Sequence, residues 1–557
     1  MTSQRNAQSA RNFRLAAVLG SLFAMAPLSA QDAPERRSGR VRKIVIETAD
    51  VFTESEAAHN FFFGFANAFH RKTRTEVVRR EFWFDEGDWV EAREIAELER
   101  NIRALSLFGD VLARTESVPG TDEIDVIVTT RDRFTLSASA SVGNVGGVQK
   151  LDVRAAESNL FGTGKGVFFA AKYDDFGHVS SITYDDPQFL GTWHQLQASI
   201  GETDEGNFVS FDLSRPFRHL GDPVSYGLST FHGREDVDRF RGGDDVAQIP
   251  LGRNELRLFW AIGSGPRNAR SSIGLDARLA VRDYGTPVGS AAGFERVPND
   301  TRQCEIGPVW THDRREVFTT ITGLDTLDYR QDIILGYGAS LRTALRVRDE
   351  EVVGTDVQPL LEARGYWAAQ PIESIFLTAE ASFETRFGNS GRMGSRGRLA
   401  WHGYWTALPA QTIAASLTYD TVLETQDLLP QLTLGEDNGL RGYPSRQFTG
   451  TRIARLNIED RVDTGIEVLS LRLGLAAFCD VGWIHDPFEN RSFSDPLVSA
   501  GFGLRIGSSN LLGSRILRVD VAFPLSDVVG EDFGMSVSFS TGQVFTFFGN
   551  ASELGGF

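Results

Sequence analysis

Long apolar runs are missing from this chain. Past residue 30, no uninterrupted apolar stretch in the 557 residues reaches the ~20 that a membrane-spanning helix requires. If the chain crosses a membrane, it does so as a closed barrel, because only helices and barrels satisfy every backbone group in lipid. Cysteine is scarce: Cys304 and Cys479 stand far apart, in no metal-ligand spacing. They read as buried or lipid-facing thiols, with a disulfide left open by sequence. Positive charge is also short. The net charge of −17 argues against a nucleic-acid partner, which a dominant basic face would attract. No nucleophile elbow, no His-Glu-x-x-His and no phosphate loop occurs, and the nine histidines are scattered. The chain is therefore not expected to be an enzyme or to carry a cofactor or metal. Acidic pairs such as Asp174-Asp175 and Asp185-Asp186 read as solvated loop charges, with calcium or lipopolysaccharide bridging as the minor alternative.

Glycine (56 residues) and phenylalanine (40) are plentiful, as many strands and turns require. The N-terminus is a targeting segment. Arg5, Arg11 and Arg14 precede an apolar run from Leu15 to Ala26, and Leu28-Ser29-Ala30 offers a cleavage site. Residues 1–30 are thus a signal peptide, and 31–40 are a polar linker.

Residues 41–132 read as a small α+β domain. Val41 to Thr48 is a strand. The aromatic stretch 52–70 fits either a helix or a packed loop. Thr75 is placed to cap a short helix carrying Val77 and Val78. Between Val90 and Leu107, Ile95, Leu98, Ile102 and Leu105 form one apolar stripe, opposite Glu94, Glu97, Arg100 and Arg103. Strands at Val111–Glu116 and Ile124–Thr129 follow, joined by a Pro119-Gly120 turn.

From Arg133 onward, alternating runs of about ten residues repeat to the end, separated by Gly, Asn, Asp and Pro clusters. Along 469–482, Leu469, Leu471, Leu473 and Leu475 share one face, and Arg472, Phe478, Asp480 and Gly482 the other. Lipid outside and water inside produce this pattern. A soluble sandwich produces it too, with its apolar faces inward. The export signal and the strand lengths favour lipid. The tally is roughly twenty strands of bilayer-crossing length, ending with one over Met535–Phe547. Stretches 237–253, 286–303 and 423–448 read as long loops on one side.

One of those loops carries Leu434-Gly-Glu-Asp-Asn-Gly-Leu440-Arg441-Gly442-Tyr443. An arginine at such a tip seeks a carboxylate, and Phe478-Cys-Asp480-Val-Gly482 offers one on a lumen-facing register. Arg505, in Gly501-Phe-Gly-Leu-Arg505, faces inward as well; it either joins that pairing or stands in lumen water. Leu-Arg-Gly-Tyr with Phe-x-Asp-x-Gly resembles the signature of the BamA/TamA outer-membrane assembly superfamily, the bacterial surface antigen family. The element order of 41–132 resembles that family's periplasmic POTRA domain. Glu157-x-Asn159-Leu160-x-Gly162-x-Gly164 resembles its first periplasmic turn, and Asp186-Pro187-x-Phe189-Leu190-Gly191 is a turn of the same style.

The resemblance implies a transmembrane antiparallel barrel of sixteen strands over 133–557, with loop 423–448 folded into the lumen and Arg441 against Asp480. It implies a weakly paired seam between first and last strands, which Gly542 would weaken further. It implies a place in the outer membrane, with the small domain in the periplasm. The implied partners are outer-membrane lipid and lipopolysaccharide, unfolded outer-membrane or secreted client proteins, and periplasmic accessory proteins. The implied work is insertion or translocation of proteins through strand addition at the seam. A passive channel or surface antigen, and a secretion pore for a dedicated partner, are the alternatives.

Overall fold

The computed structural model describes residues 36–545 apart from 52–70 and short gaps at 134, 176, 220, 266–268, 290–297, 322, 325–326, 328–330, 351–353, 389–390, 425–430, 469–470, 487–491, 508–515, 527, 529–532 and 542. The signal peptide, the 52–70 stretch and Gly542 lie outside the described residues.

The chain opens on an α+β unit: β1 (Gly39–Ala49), α1 (Thr75–Arg79), β2 (Trp89–Val90), α2 (Ala92–Ala104), β3 (Phe108–Ser117) and β4 (Glu123–Asp132). The sheet order is β2-β1-β4-β3, with β1 and β4 parallel. The stripe on α2 does what its spacing demands: Ile95, Leu98 and Ile102 are fully buried against Val41, Val77, Val126 and Val128. One expectation is corrected: Arg74, not Thr75, occupies the cap position of α1, and no side chain bonds the helix end there. Glu97, opposite the stripe, is buried as well.

The barrel follows. Its first strands are β5 (Leu136–Val145), β6 (Val148–Glu157), β7 (Gly166–Asp174), β8 (Gly177–Phe189), β9 (His194–Thr203) and β10 (Gly206–Arg215). Longer ones come next: β11 (Val224–Arg241), β12 (Asp244–Ser264), β13 (Ala269–Tyr284), the two-residue β14 (Val288–Gly289), β15 (Thr301–Ile321), β16 (Gln331–Glu350) and β17 (Gly354–Ile372). Then come β18 (Ile375–Gly388), β19 (Gly391–Trp405) and β20 (Gln411–Glu424). After a small ladder of β21 (Leu432–Leu434) and β22 (Phe448–Gly450), the wall resumes with β23 (Arg452–Val468), β24 (Leu471–His485), β25 (Leu497–Gly507), β26 (Ile516–Pro524) and β27 (Ser536–Thr541).

Neighbours pair antiparallel all the way round, and β27 meets β5 to close the tube. Leaving out two-residue β14, twenty strands build the wall, so the implied sixteen is overturned. Each alternating segment takes its own rung rather than folding back as an extra hairpin. The stretch 237–253 is likewise not a loop: β11 and β12 run on and reverse at Gly242-Gly243, both at positive φ. The last strand is shorter than the expected 535–547, because the chain leaves the wall after Thr541.

The pleat sorts the side chains. Ile182, Ile200, Leu258, Ile273, Leu341, Trp401 and Phe502 point outward and are 42–60% exposed. Inward positions carry Arg342, Arg346, Glu459, Asp480 and Asp520, all buried. Apolar side chains outside and charges inside, with no open edge, is the arrangement that lipid demands. No described helix is long and apolar enough to cross a membrane. Both cysteines are free thiols.

The α+β unit is seated on one end of the tube, against the turns after β6, β8 and β10. Asn159 Nδ2 donates to Thr73 Oγ1 (2.8 Å), Trp193 Nε1 to the Arg80 carbonyl (2.8 Å), and Arg218 pairs with Glu81 (3.2 Å). The loop between β20 and β23 enters the lumen from the opposite end.

Candidate functional site

A loop in a wide lumen needs a frame of its own. Here β21 and β22 supply it, pairing Leu432 to Gly450 and Leu434 to Phe448. Gly439 (φ 103°) and Gly442 (φ 91°) make turns that L side chains resist. Between them the chain presents Leu440 and Arg441, and then Tyr443. Leu434, Leu440, Tyr443 and Phe448 pack with Ile453, Ile484 and Leu497 of the wall into one apolar cluster. Gly482 leaves the gap that seats the loop: a Cβ there would meet Leu434 at 2.9 Å and Leu440 at 3.2 Å. The Tyr443 hydroxyl donates to the Val498 carbonyl (3.0 Å).

Arg441 is fully buried. Its Nε and Nη2 donate to the two Asp480 oxygens at 2.7 and 2.9 Å, the planar fork that guanidinium and carboxylate share. Nη1 reaches Glu459 (2.8 Å) and Asp520 (3.5 Å). The guanidinium lies 3.4 Å from the Phe478 ring centroid. Burial works against the Arg441 charge, but Asp480, Glu459 and Asp520 outweigh it and raise its pKa above the ordinary value.

Arg505 joins the same network, donating to Asp520 (2.6 Å) and Glu459 (3.2 Å). Arg461 donates to Glu459 (3.0 Å), and Arg518 pairs with Asp520 (3.2 Å). Four guanidiniums thus surround three carboxylates, spread over the loop and four wall strands. Small residues make the room. A Cβ at Gly503 would lie 2.0 Å from Asp520 Oδ1, and one at Gly501 would lie 2.5 Å from the Phe478 ring.

The sequence reading named Leu440, Arg441, Gly442, Tyr443, Phe478, Asp480, Gly482 and Arg505, and the structure gathers all eight around one loop. It assigned no role to Glu459, Arg461, Arg518 or Asp520. Alternation marks these as lumen-facing, but not as neighbours across strands. It also missed a second knot, where buried Arg342 pairs with Asp276 (3.0 Å), Glu305 (3.1 Å) and Glu362 (3.0 Å). The polar face of β16 was the only signal for it.

The loop also reaches the seam. β27 is held to β26 by six residue pairs, but among the described residues it meets β5 at one, Phe539 opposite Asn144. By comparison, β5 and β6 share ten. Ser445 donates from its backbone to the Gly146 carbonyl (3.0 Å) and from its hydroxyl to the Val145 carbonyl (2.7 Å). Glu436 accepts from the Gly146 N–H (2.9 Å), with its carboxylate beside Ser538 of β27. The loop therefore bonds the β5 side of the weak joint and lies against the β27 side. Burial raises the Glu436 carboxyl above the usual range.

At the other end of the lumen the chain after β27 turns inward. Phe545 stacks on His402 (5.8 Å between centroids) and packs with Leu324, Tyr404 and Ala414. Arg461 ties this plug together, donating to the carbonyls of Leu324 (2.5 Å) and Phe545 (3.3 Å). Among the described residues no group of His, Cys, Asp or Glu is placed to hold a metal ion.

No family model matches the chain. Solved structures that it is similar to include BamA from Haemophilus ducreyi lacking POTRA domains 1–3, at 13% identity over 92% of this chain and 85% of that one, with a TM-score of 0.42. CdiB from Escherichia coli matches at 10% identity over 97% and 96%, with a TM-score of 0.45. CdiB from Acinetobacter baumannii matches at 13% identity over 96% and 97%, with a TM-score of 0.41.

Proposed function

We propose that this chain is an outer-membrane barrel of the BamA/TamA superfamily that assists insertion or translocation of client proteins. The α+β unit acts as a periplasmic POTRA-like domain. Clients add as strands, first at the edge of that domain's sheet and then at the β5–β27 seam, gaining backbone hydrogen bonds without nucleotide. The observation that carries this reading is the seam itself: among the described residues, one residue pair where neighbouring strands share many, strapped from inside by a loop pinned at Arg441. A joint of that kind opens at lower cost than any other in the wall. Depletion in the producing cell, followed by a census of its outer-membrane proteins, tests the role. Loss of a subset of barrels or of one secreted partner supports it; an unchanged census favours a passive channel or surface antigen.

A further inference from the structure

Two turns at the domain end of the barrel carry the wrong residues for their shape. Phe161-Gly162 and Leu190-Gly191 each place two consecutive residues at positive φ: 55° and 70° in the first turn, 55° and 73° in the second. This two-residue reversal favours Asn-Gly or Gly-Gly, because a bulky side chain in the left-handed region is strained. Turn chemistry therefore does not account for Phe or Leu there. Packing does not either: Phe161 is 75% exposed and Leu190 81% exposed, among the most exposed large apolar side chains described.

The rest of each turn is held firmly. The Gly162 carbonyl accepts from the Arg74 N–H (2.9 Å), and a Cβ on Gly162 would lie 2.2 Å from the Lys72 carbonyl oxygen. Gln188 Nε2 donates to the Val77 carbonyl (2.8 Å) and to Glu81 (2.6 Å), while Gly191 sits against the Arg80 guanidinium. One side of each hairpin end is bonded to the α+β unit, and the apolar tip is left bare.

What covers the tips follows from the surface that they continue. Around the same end of the tube the outward side chains form an aromatic band: Tyr226, Trp260, Tyr337, Trp367 and Trp405, each 38–50% exposed. Tyr226 stands directly opposite Trp260, and Tyr337 opposite Trp367, so the band is level from strand to strand. Such girdles mark a membrane–water boundary. In the β6–β9 sector, Phe161 and Leu190 are the most exposed large apolar residues described at that end, below Phe169 and Ile182 of the lipid-facing wall.

We infer that Phe161 and Leu190 dip into the phospholipid leaflet at the domain end of the barrel, and that the two hairpins are levers whose tips rest in lipid while their polar sides hold the α+β unit. The small domain is thereby set at a fixed angle beneath the membrane, next to the seam-side strands. This inference rests on the membrane reading given above.

The test uses the full chain carrying Cys304→Ser and Cys479→Ala, with one new cysteine at Phe161 or Leu190 labelled with the fluorophore NBD. The protein is reconstituted in vesicles of phosphatidylethanolamine and phosphatidylglycerol. Two quenchers are compared: a lipid-borne nitroxide, and iodide present on both sides of the bilayer. Labels at Ile182 on the outward wall and at Thr121 on the domain's far turn serve as references. Blue-shifted emission that the nitroxide quenches and iodide does not, at both tips, is the expected result. Iodide quenching equal to that at Thr121 overturns the inference, and so does protection from both quenchers, which would mean a protein partner or a second copy. If the Ile182 label also escapes the nitroxide, it is the membrane reading that fails. Folding of each variant is checked by gel mobility. Should a cysteine variant not fold, Phe161→Trp and Leu190→Trp read with brominated lipid against the parent's nine tryptophans give the same decision.

Discussion

At the residue scale, Arg441 decides whether the loop stays in the lumen. A buried ion network contributes little net stability, but removing one partner strands a charge, at a cost of about 3–5 kcal/mol. Arg441→Ala and Asp480→Ala should each destabilise the folded barrel by roughly that amount, with the double variant costing about 2 kcal/mol less than the sum. Denaturant unfolding in lipid vesicles measures this, and additivity would remove the pair from the account. A simple charge swap is a poorer test than the sequence suggests, since an aspartate at 441 would still face Glu459 and Asp520. Glu436 gives a pH prediction. Its carboxyl binds a proton more tightly when the loop is docked than when it is free, because burial raises it above the ordinary glutamate value of about 4.5. The docked state is therefore favoured fully below that value, and the contribution is lost as pH rises through the raised one. Openings in planar bilayers should become more frequent as pH is raised from acid to neutral, and Glu436→Gln should flatten the dependence. An equally steep profile in that variant would assign it to another group.

At the scale of elements, period and pattern said much. The α2 stripe, the alternation of β24 and the Leu-Arg-Gly-Tyr tip were legible because each is a local signal, and Asp480 was found because its strand motif names it. That Glu459, Asp520 and Arg518 join this network was not legible, since which inward residues meet depends on register across several strands. The end of β27 was misplaced for a related reason. Val544 and Phe545 read as more strand, yet they serve better as a plug against His402 and Tyr404 than as lipid-facing wall. The in-folded loop is the element with the clearest consequence. Deleting residues 434–446 removes Arg441 and both seam contacts, so recordings that are mostly closed in the parent should turn into a steady conductance. A steady open pore in the parent that the deletion leaves unchanged would favour the plain channel.

At the scale of the whole molecule, the strand count was open while the sign of each face was not. Alternation tells lipid from lumen, but closure at twenty strands is a property of the complete ladder. That ladder leaves an interior wide enough to need filling, which the loop does from one end and the Phe545 plug from the other. The tube is weakest where its two ends meet, and the proposed work is done there. The most direct test locks that joint with Asn144→Cys and Phe539→Cys in a background of Cys304→Ser and Cys479→Ala, using the facing pair at the seam. The account predicts that oxidation abolishes client assembly in cells and that a reductant restores it. Client assembly that continues undiminished through an oxidised, covalently closed seam would contradict it.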